Sequence, residues 1–323
     1  MKFFVISLLV FVWLTPVMSQ YDFEAKEKQR MADAKVKLLT QWTHEYVDGK
    51  PSANGYKSSV TKYNTKGNAT EITNFNEEGK IISLVIYQYN NRDNKVNFER
   101  YQGNREKLQY SQKTVYDARG NKIREYGFDG ASTYNNTYQY DGNGKLSEIN
   151  YTENSALVEK RILKYSGNKT EILIYDPNDH LIFKQENTYN NEGLLVSEVK
   201  TGTKANVVHT IELRYNTVGD LMEETKKRAD DRLDYQKFYY YDEKNRPVKE
   251  ETVNLDGVKF ISREYQYNSQ GDLVLETWKK SEKTNKPSSK KINYNSKGVY
   301  TEMECYFATY NLNSLYKYTC ETY

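Results

Sequence analysis

The sequence predicts a mainly β protein: an extended antiparallel meander of β-hairpin repeats preceded by one N-terminal α-helical cap. Three observations carry this expectation. The first is a turn signature, Tyr-Asn/Asp-x-x-Gly, that returns along the chain. It stands at Tyr63-Asn64-Thr65-Lys66-Gly67, Tyr116-Asp117-Ala118-Arg119-Gly120, Tyr140-Asp141-Gly142-Asn143-Gly144 and Tyr189-Asn190-Asn191-Glu192-Gly193. It returns at Tyr215, Tyr267 and Tyr294, with degenerate copies at Tyr89, Tyr165 and Tyr241, so the step is about 26 residues, and a fixed period of that size marks a repeat architecture. The second observation is composition. The chain is polar, with a mean hydropathy of −0.91, yet holds 31 tyrosines among its 323 residues, and aromatic and β-branched residues alternating with charges favour strands over disorder. The third is a change of pattern near the N-terminus, where helix formers replace this alternation.

Residues 1–19 read as a signal peptide. Met1-Lys2 precedes an apolar run from Phe3 to Leu14, and Val17 and Ser19 suit a cleavage site after Ser19. The run is shorter than the roughly 20 residues that span a bilayer, which favours cleavage over an uncleaved anchor, and with no second apolar segment in the sequence no membrane span is expected after cleavage.

Residues 20–50 form the expected cap. Glu24 to Arg30 are helix formers, and Met31, Ala34, Leu38, Trp42 and Tyr46 fall at steps of three or four, making one apolar stripe. Asp48-Gly49-Lys50-Pro51 supplies a stop. Such a helix would cover the exposed edge of the first strand, as the end units of a stack require.

The hairpin repeats occupy 51–300, with two strands and two turns per unit. Asn or Asp suits the first position of a type I turn, and the closing Gly supplies a left-handed residue. An aliphatic residue follows two positions later, as in Leu146, Leu195, Leu221 and Leu273. Glutamates at Glu148, Glu198, Glu223, Glu250 and Glu276 are expected to pair with Lys and Arg on adjacent strands. Strands such as Met222-Glu223-Glu224-Thr225-Lys226-Lys227 are polar on both faces. They lack the apolar band of an outer-membrane barrel, and that architecture is rejected.

Residues 301–323 complete the sheet as a final hairpin. With a turn at Asn311-Leu312-Asn313-Ser314, Cys305 and Cys320, the two cysteines of the chain, would face each other and form a disulfide.

The Tyr-Asp/Asn-x-x-Gly-x-Leu unit, seen whole in Tyr140-Asp141-Gly142-Asn143-Gly144-Lys145-Leu146, resembles the YD repeat, also called the RHS repeat. The resemblance covers about 55 to 300 and implies wide sheets that wrap into shells or scaffolds in bacterial exported proteins. This chain departs from the family in its longer step, its frequent Asn for Asp and the lack of a toxin domain after the repeats. MORN-like hairpin repeats are the second-best match.

Chemistry is sparse. His44, His180 and His209 lie in separate contexts, without metal-ligand spacing, and no nucleophile elbow or phosphate loop is present. Neither cofactor nor metal is expected, and 47 basic against 44 acidic residues give a net charge of +3 that argues against nucleic acid. The expected function is that of an exported, non-catalytic binding or scaffold module in the bacterial envelope, periplasmic, surface-bound or secreted. Its partner would be an envelope protein or polysaccharide. One alternative is a carbohydrate-binding module in which Tyr87, Tyr138, Tyr239 and Tyr265 stack against sugars. The other is a glycan-active enzyme, which needs a clustered carboxylate pair.

Overall fold

The computed structural model describes residues 23–203 and 206–323; the expected signal peptide lies outside them. Among the described residues a single helix, α1 (Phe23–Asp33), precedes a succession of antiparallel strands. Twenty-two of these close into a barrel, because Val36–Val47 pairs with Tyr56–Tyr63 on one side and with the final strand, Leu312–Thr322, on the other. Lys50–Pro51 adds only a two-residue arm to the opening strand. The open meander with a capped edge is therefore corrected: the two chain ends pair, and no edge is left for a helix to cover.

The helix is also shorter than its apolar stripe implied. Glu24 in its first turn and Arg30 in its last suit the helix dipole. The Ala34 and Lys35 amides still donate to the carbonyls of Arg30 and Ala32. Lys35 then takes a left-handed φ of 52° and ends the helix. Beyond it, Val36, Thr40, Thr43 and Val47, with Trp42 and Tyr46, favour a strand. Leu38, Trp42 and Tyr46 sit at even spacings, which suit period two as well as period four.

Each repeated turn is built as its residues require. In the first, Asn64 Oδ1 accepts from the amides of Lys66 and Asn68, both at 3.0 Å, and Gly67 closes the turn at a φ of 78°. Asp93 and Asn245 stand in for glycine at φ 69° and 56°. At most of the turns the leading tyrosine reaches back across the sheet to the carbonyl that opens the preceding strand. Tyr140 donates to Lys122 O (2.9 Å), Tyr165 to Leu146 O (2.8 Å), Tyr215 to Leu195 O (2.8 Å) and Tyr241 to Leu221 O (2.8 Å). Tyr267 and Tyr294 repeat the bond to Pro247 O and Leu273 O. Where they are made, these bonds stitch one strand to the strand before it along one rim, and the Tyr189 hydroxyl makes none.

The wall is one sheet thick. Tyr63, Thr114, Tyr138, Leu163, Leu213 and Ile292 are buried on one face, while their neighbours Lys62, Lys113, Gln139, Lys164, Arg214 and Asn293 are exposed on the other. Side chains crowd on a concave wall and splay on a convex one, so the tyrosine-bearing face is the inner face. Its core is a stripe near the tyrosine rim, seen in the cluster of Leu195, Leu213, Leu221 and Tyr239.

The last hairpin turns at 308–311, with Phe307 opposite Leu312. Cys305 consequently faces Ser314, and Cys320 lies beside Leu39 of the opening strand. Both cysteines are free. The expected disulfide is corrected, because the final strand runs on past the hairpin to close the barrel and carries Cys320 away from Cys305.

Candidate functional site

The helix rests on the inner face at the tyrosine rim. Met31, fully buried, and Ala34 join Val36, Leu39, Tyr63 and Val299 in a small core. Polar contacts fix the rest. Arg30 Nη2 donates to Asp272 Oδ1 at 2.6 Å and its guanidinium lies over the Tyr294 ring, 4.8 Å from the centroid. Lys26 donates to the Gly271 carbonyl, and Lys28 pairs with Asp93, which also accepts from Asn68 Nδ2 at 2.8 Å. The Lys28 ammonium bonded to it holds the Asp93 carboxyl below its ordinary range, with the Asn68 hydrogen bond in support. Gly67 is required here: a Cβ at that position would meet the Lys28 carbonyl at 2.0 Å.

Between the helix and the wall lies a cleft of about 350 Å³, within the size range of small-molecule sites. Phe23 forms its roof and stacks on Tyr265, ring centroids 6.3 Å apart. Leu273, Ile292 and Met303 make an apolar floor. At the deeper end Glu276 is shared by two cations, with Arg263 Nη1 at 3.0 Å and Lys290 Nζ at 2.9 Å. Cross-strand register creates this cluster, since Tyr265 stands opposite Glu276 and Glu276 opposite Lys290. Burial pushes the Tyr265 hydroxyl up to about 12, so it enters the cleft as a neutral donor and acceptor. Burial likewise raises Tyr300, whose hydroxyl donates to Glu27 Oε1 at 3.2 Å. The arrangement offers aromatic faces, neutral hydroxyls and one carboxylate shared by two cations. It brings together no nucleophile and base.

The four tyrosines expected to form a stacking ladder share the inner face but not one site. Tyr265 alone lines the cleft. Tyr239 is 6% exposed and donates to Glu224 Oε2 at 3.1 Å, and Tyr138 is 5% exposed beneath the Lys122 ammonium. Tyr87 is half-buried between Phe98 and Lys95. Three of the five ladder glutamates pair with cations across strands, Glu223 with Arg214, Glu250 with Arg263 and Glu276 with Arg263 and Lys290, whereas Glu198 pairs with His209 and Glu148 accepts from Asn150 and Gln139. The histidines stay apart: His44 contacts the Ser52 carbonyl, His180 its own turn residue Asp176, and His209 Glu198. Among the described residues, no three His, Cys, Asp or Glu side chains converge as metal ligands would. Phe23, Arg263, Lys290 and Tyr300 were missed by sequence reasoning. The alternation of charge along Glu250, Arg263, Glu276 and Lys290 was legible, but its place under a helix was not.

No protein-family model matches this sequence, and no curated protein sequence is similar to it. Among solved structures, the chain is similar to TcdB2-TccC3-TEV at 12% identity and a TM-score of 0.29, covering 83% of this chain and 18% of that one. It is also similar to porin-like proteins from Bacteroides uniformis ATCC 8492 (10% identity, TM-score 0.34, covering 88% of this chain and 96% of that one) and Bacteroides vulgatus ATCC 8482 (10%, 0.21, 89% and 99%).

Proposed function

We propose that this chain is an exported, non-catalytic barrel of the bacterial envelope that binds a partner on its tyrosine-bearing inner face, at the cleft under α1. The observation that carries this reading is the division of the wall. The outward ring of Lys62, Lys113, Gln139, Lys164, Arg214 and Asn293 is exposed and polar, whereas a lipid-facing barrel carries an apolar band outside and polar residues inside. A wall with the opposite polarity works in water and keeps its aromatic surface for contacts within. The partner class remains an envelope protein or polysaccharide, and the half-buried Tyr265, with its neutral hydroxyl and flat ring, suits either.

The test is photo-crosslinking in intact envelopes with a benzophenone side chain placed at 265 or, as the outward-facing control, at 266. A discrete adduct from position 265 and none from 266 is the expected result. Adducts from 266 alone would place the binding surface outside, and a purified protein that needs detergent and conducts ions across planar bilayers would overturn the reading altogether.

A further inference from the structure

The cleft under α1 is uneven in charge. Among the described residues, its charged lining consists of the cations Lys26, Arg30, Arg263 and Lys290 and the carboxylates Glu27 and Glu276. The carboxylates that offset the remaining cations stand outside the lining. Asp272 is held by Arg30 at 2.6 Å and by Lys26, and Glu250 lies 3.9 Å from Arg263. Glu27 belongs to the helix side, where it accepts from the Tyr300 hydroxyl.

At the deeper end the same charges are layered. The Glu276 side chain is 12% exposed, whereas those of Arg263 and Lys290, which it joins, are 43% and 31% exposed. The carboxylate is the buried partner and the two cations are the surface. A guanidinium carries five N–H groups and an ammonium three, more than one carboxylate accepts, so donors remain for a second anion. Strand register fixes the pair beside an aromatic ring, because Glu276 stands opposite Tyr265 on one side and Lys290 on the other.

A ligand matched to this lining has an apolar face for Phe23 and Tyr265, hydroxyls for the neutral Tyr265 and Tyr300, and an anionic group for Arg263 and Lys290. A uronic acid sugar carries all three on one ring. An extended acidic peptide fits less well, since the closed ring leaves no free barrel-strand edge on which it would pair. A cleft of about 350 Å³ also holds a few sugar rings rather than a folded protein surface.

We propose that the cleft binds a carboxylate-bearing polysaccharide, with Arg263 and Lys290 clamping the carboxylate of one sugar and Tyr265 taking that sugar's apolar face. This inference rests on the reading of the cleft as the binding surface, and selects the acidic polysaccharide from the two partner classes named there.

The test is isothermal titration of the full exported protein with a galacturonate trisaccharide, and with the same trisaccharide after its carboxylates are reduced to alcohols. The acid is expected to bind about tenfold tighter or better, as charge-assisted hydrogen bonds to one carboxylate supply. An Arg263→Gln, Glu276→Gln, Lys290→Gln variant removes the clamp without stranding the carboxylate beneath it. It is expected to bind both sugars at the affinity of the reduced one. Tyr265→Ala is expected to weaken both sugars alike and to keep the preference for the acid. Equal affinities in the parent protein would overturn the proposal, and that comparison stands even if the triple variant does not fold. So would a preference that survives in the folded triple variant, which would put the acid elsewhere. A glutamate tripeptide that competes as well as the acidic trisaccharide would overturn the choice of a sugar. If the parent binds neither trisaccharide while a benzophenone at 265 still captures an envelope protein, this inference falls and the cleft remains the binding surface. If position 265 captures nothing as well, both fall.

Discussion

The tyrosine hydroxyl that leads each turn is the smallest unit on which the wall depends. In Tyr241 it reaches the Leu221 carbonyl at 2.8 Å, whereas in Tyr189 the same hydroxyl is buried with no hydrogen-bond partner. Removing a made bond costs about 1 kcal/mol, but removing an unsatisfied buried group can be neutral or stabilising. Tyr241→Phe is therefore expected to lower Tm in thermal unfolding, and Tyr189→Phe to leave it unchanged or raise it. No loss in either variant would mean that the ring, not the hydroxyl, stitches the repeat. A second residue sets the acid limit. On the outer face, Glu251 accepts from Lys259 Nζ at 2.7 Å, from the Tyr240 hydroxyl and from Lys249 Nζ at 3.1 Å. The Lys259 bond first, then the Tyr240 bond, hold its carboxyl down to about 2 from an ordinary 4.5. The folded pKa lies below the unfolded one, so this contribution is complete above about 4.5 and is lost as pH falls towards 2. Denaturant midpoints measured from pH 6 to 2 should fall less steeply for Glu251→Gln than for the parent protein, and parallel curves would assign the acid limit to other carboxylates.

At the scale of elements, the same residues supported two periods, and the choice fell to the backbone. Leu38, Trp42 and Tyr46 are spaced for a helix face, yet β-branched neighbours and the left-handed Lys35 turn them into a strand. The final hairpin shows the parallel effect of register. A turn only a few residues earlier than expected moved Cys305 opposite Ser314 and left Cys320 opposite Leu39 of the opening strand. Cys305 is buried and burial raises its thiol pKa, whereas Cys320 is exposed. One thiol is expected to react quickly with a maleimide in the folded protein and the second only on unfolding, and a reductant is expected to leave Tm unchanged. A reductant-dependent Tm would restore the disulfide and with it a different register for the last two strands. The turns themselves were readable in advance, because an Asx side chain and a left-handed glycine or asparagine are requirements of a few consecutive residues.

At the scale of the whole molecule, the repeat, its turn chemistry and the alternation of buried with exposed positions were all determined by the sequence, since each depends on residues close together in the chain. The paired charges along Glu250, Arg263, Glu276 and Lys290 belong to the same class, being separated by one hairpin at a time. Closure was decided only by tertiary structure. Whether a long twisted meander stays open or meets itself depends on small curvatures summed over twenty-two strands, and no local stretch of sequence encodes that sum. The cleft follows from closure, because α1 finds Asp272 and Asp93 together only when the far ends of the chain have been brought side by side.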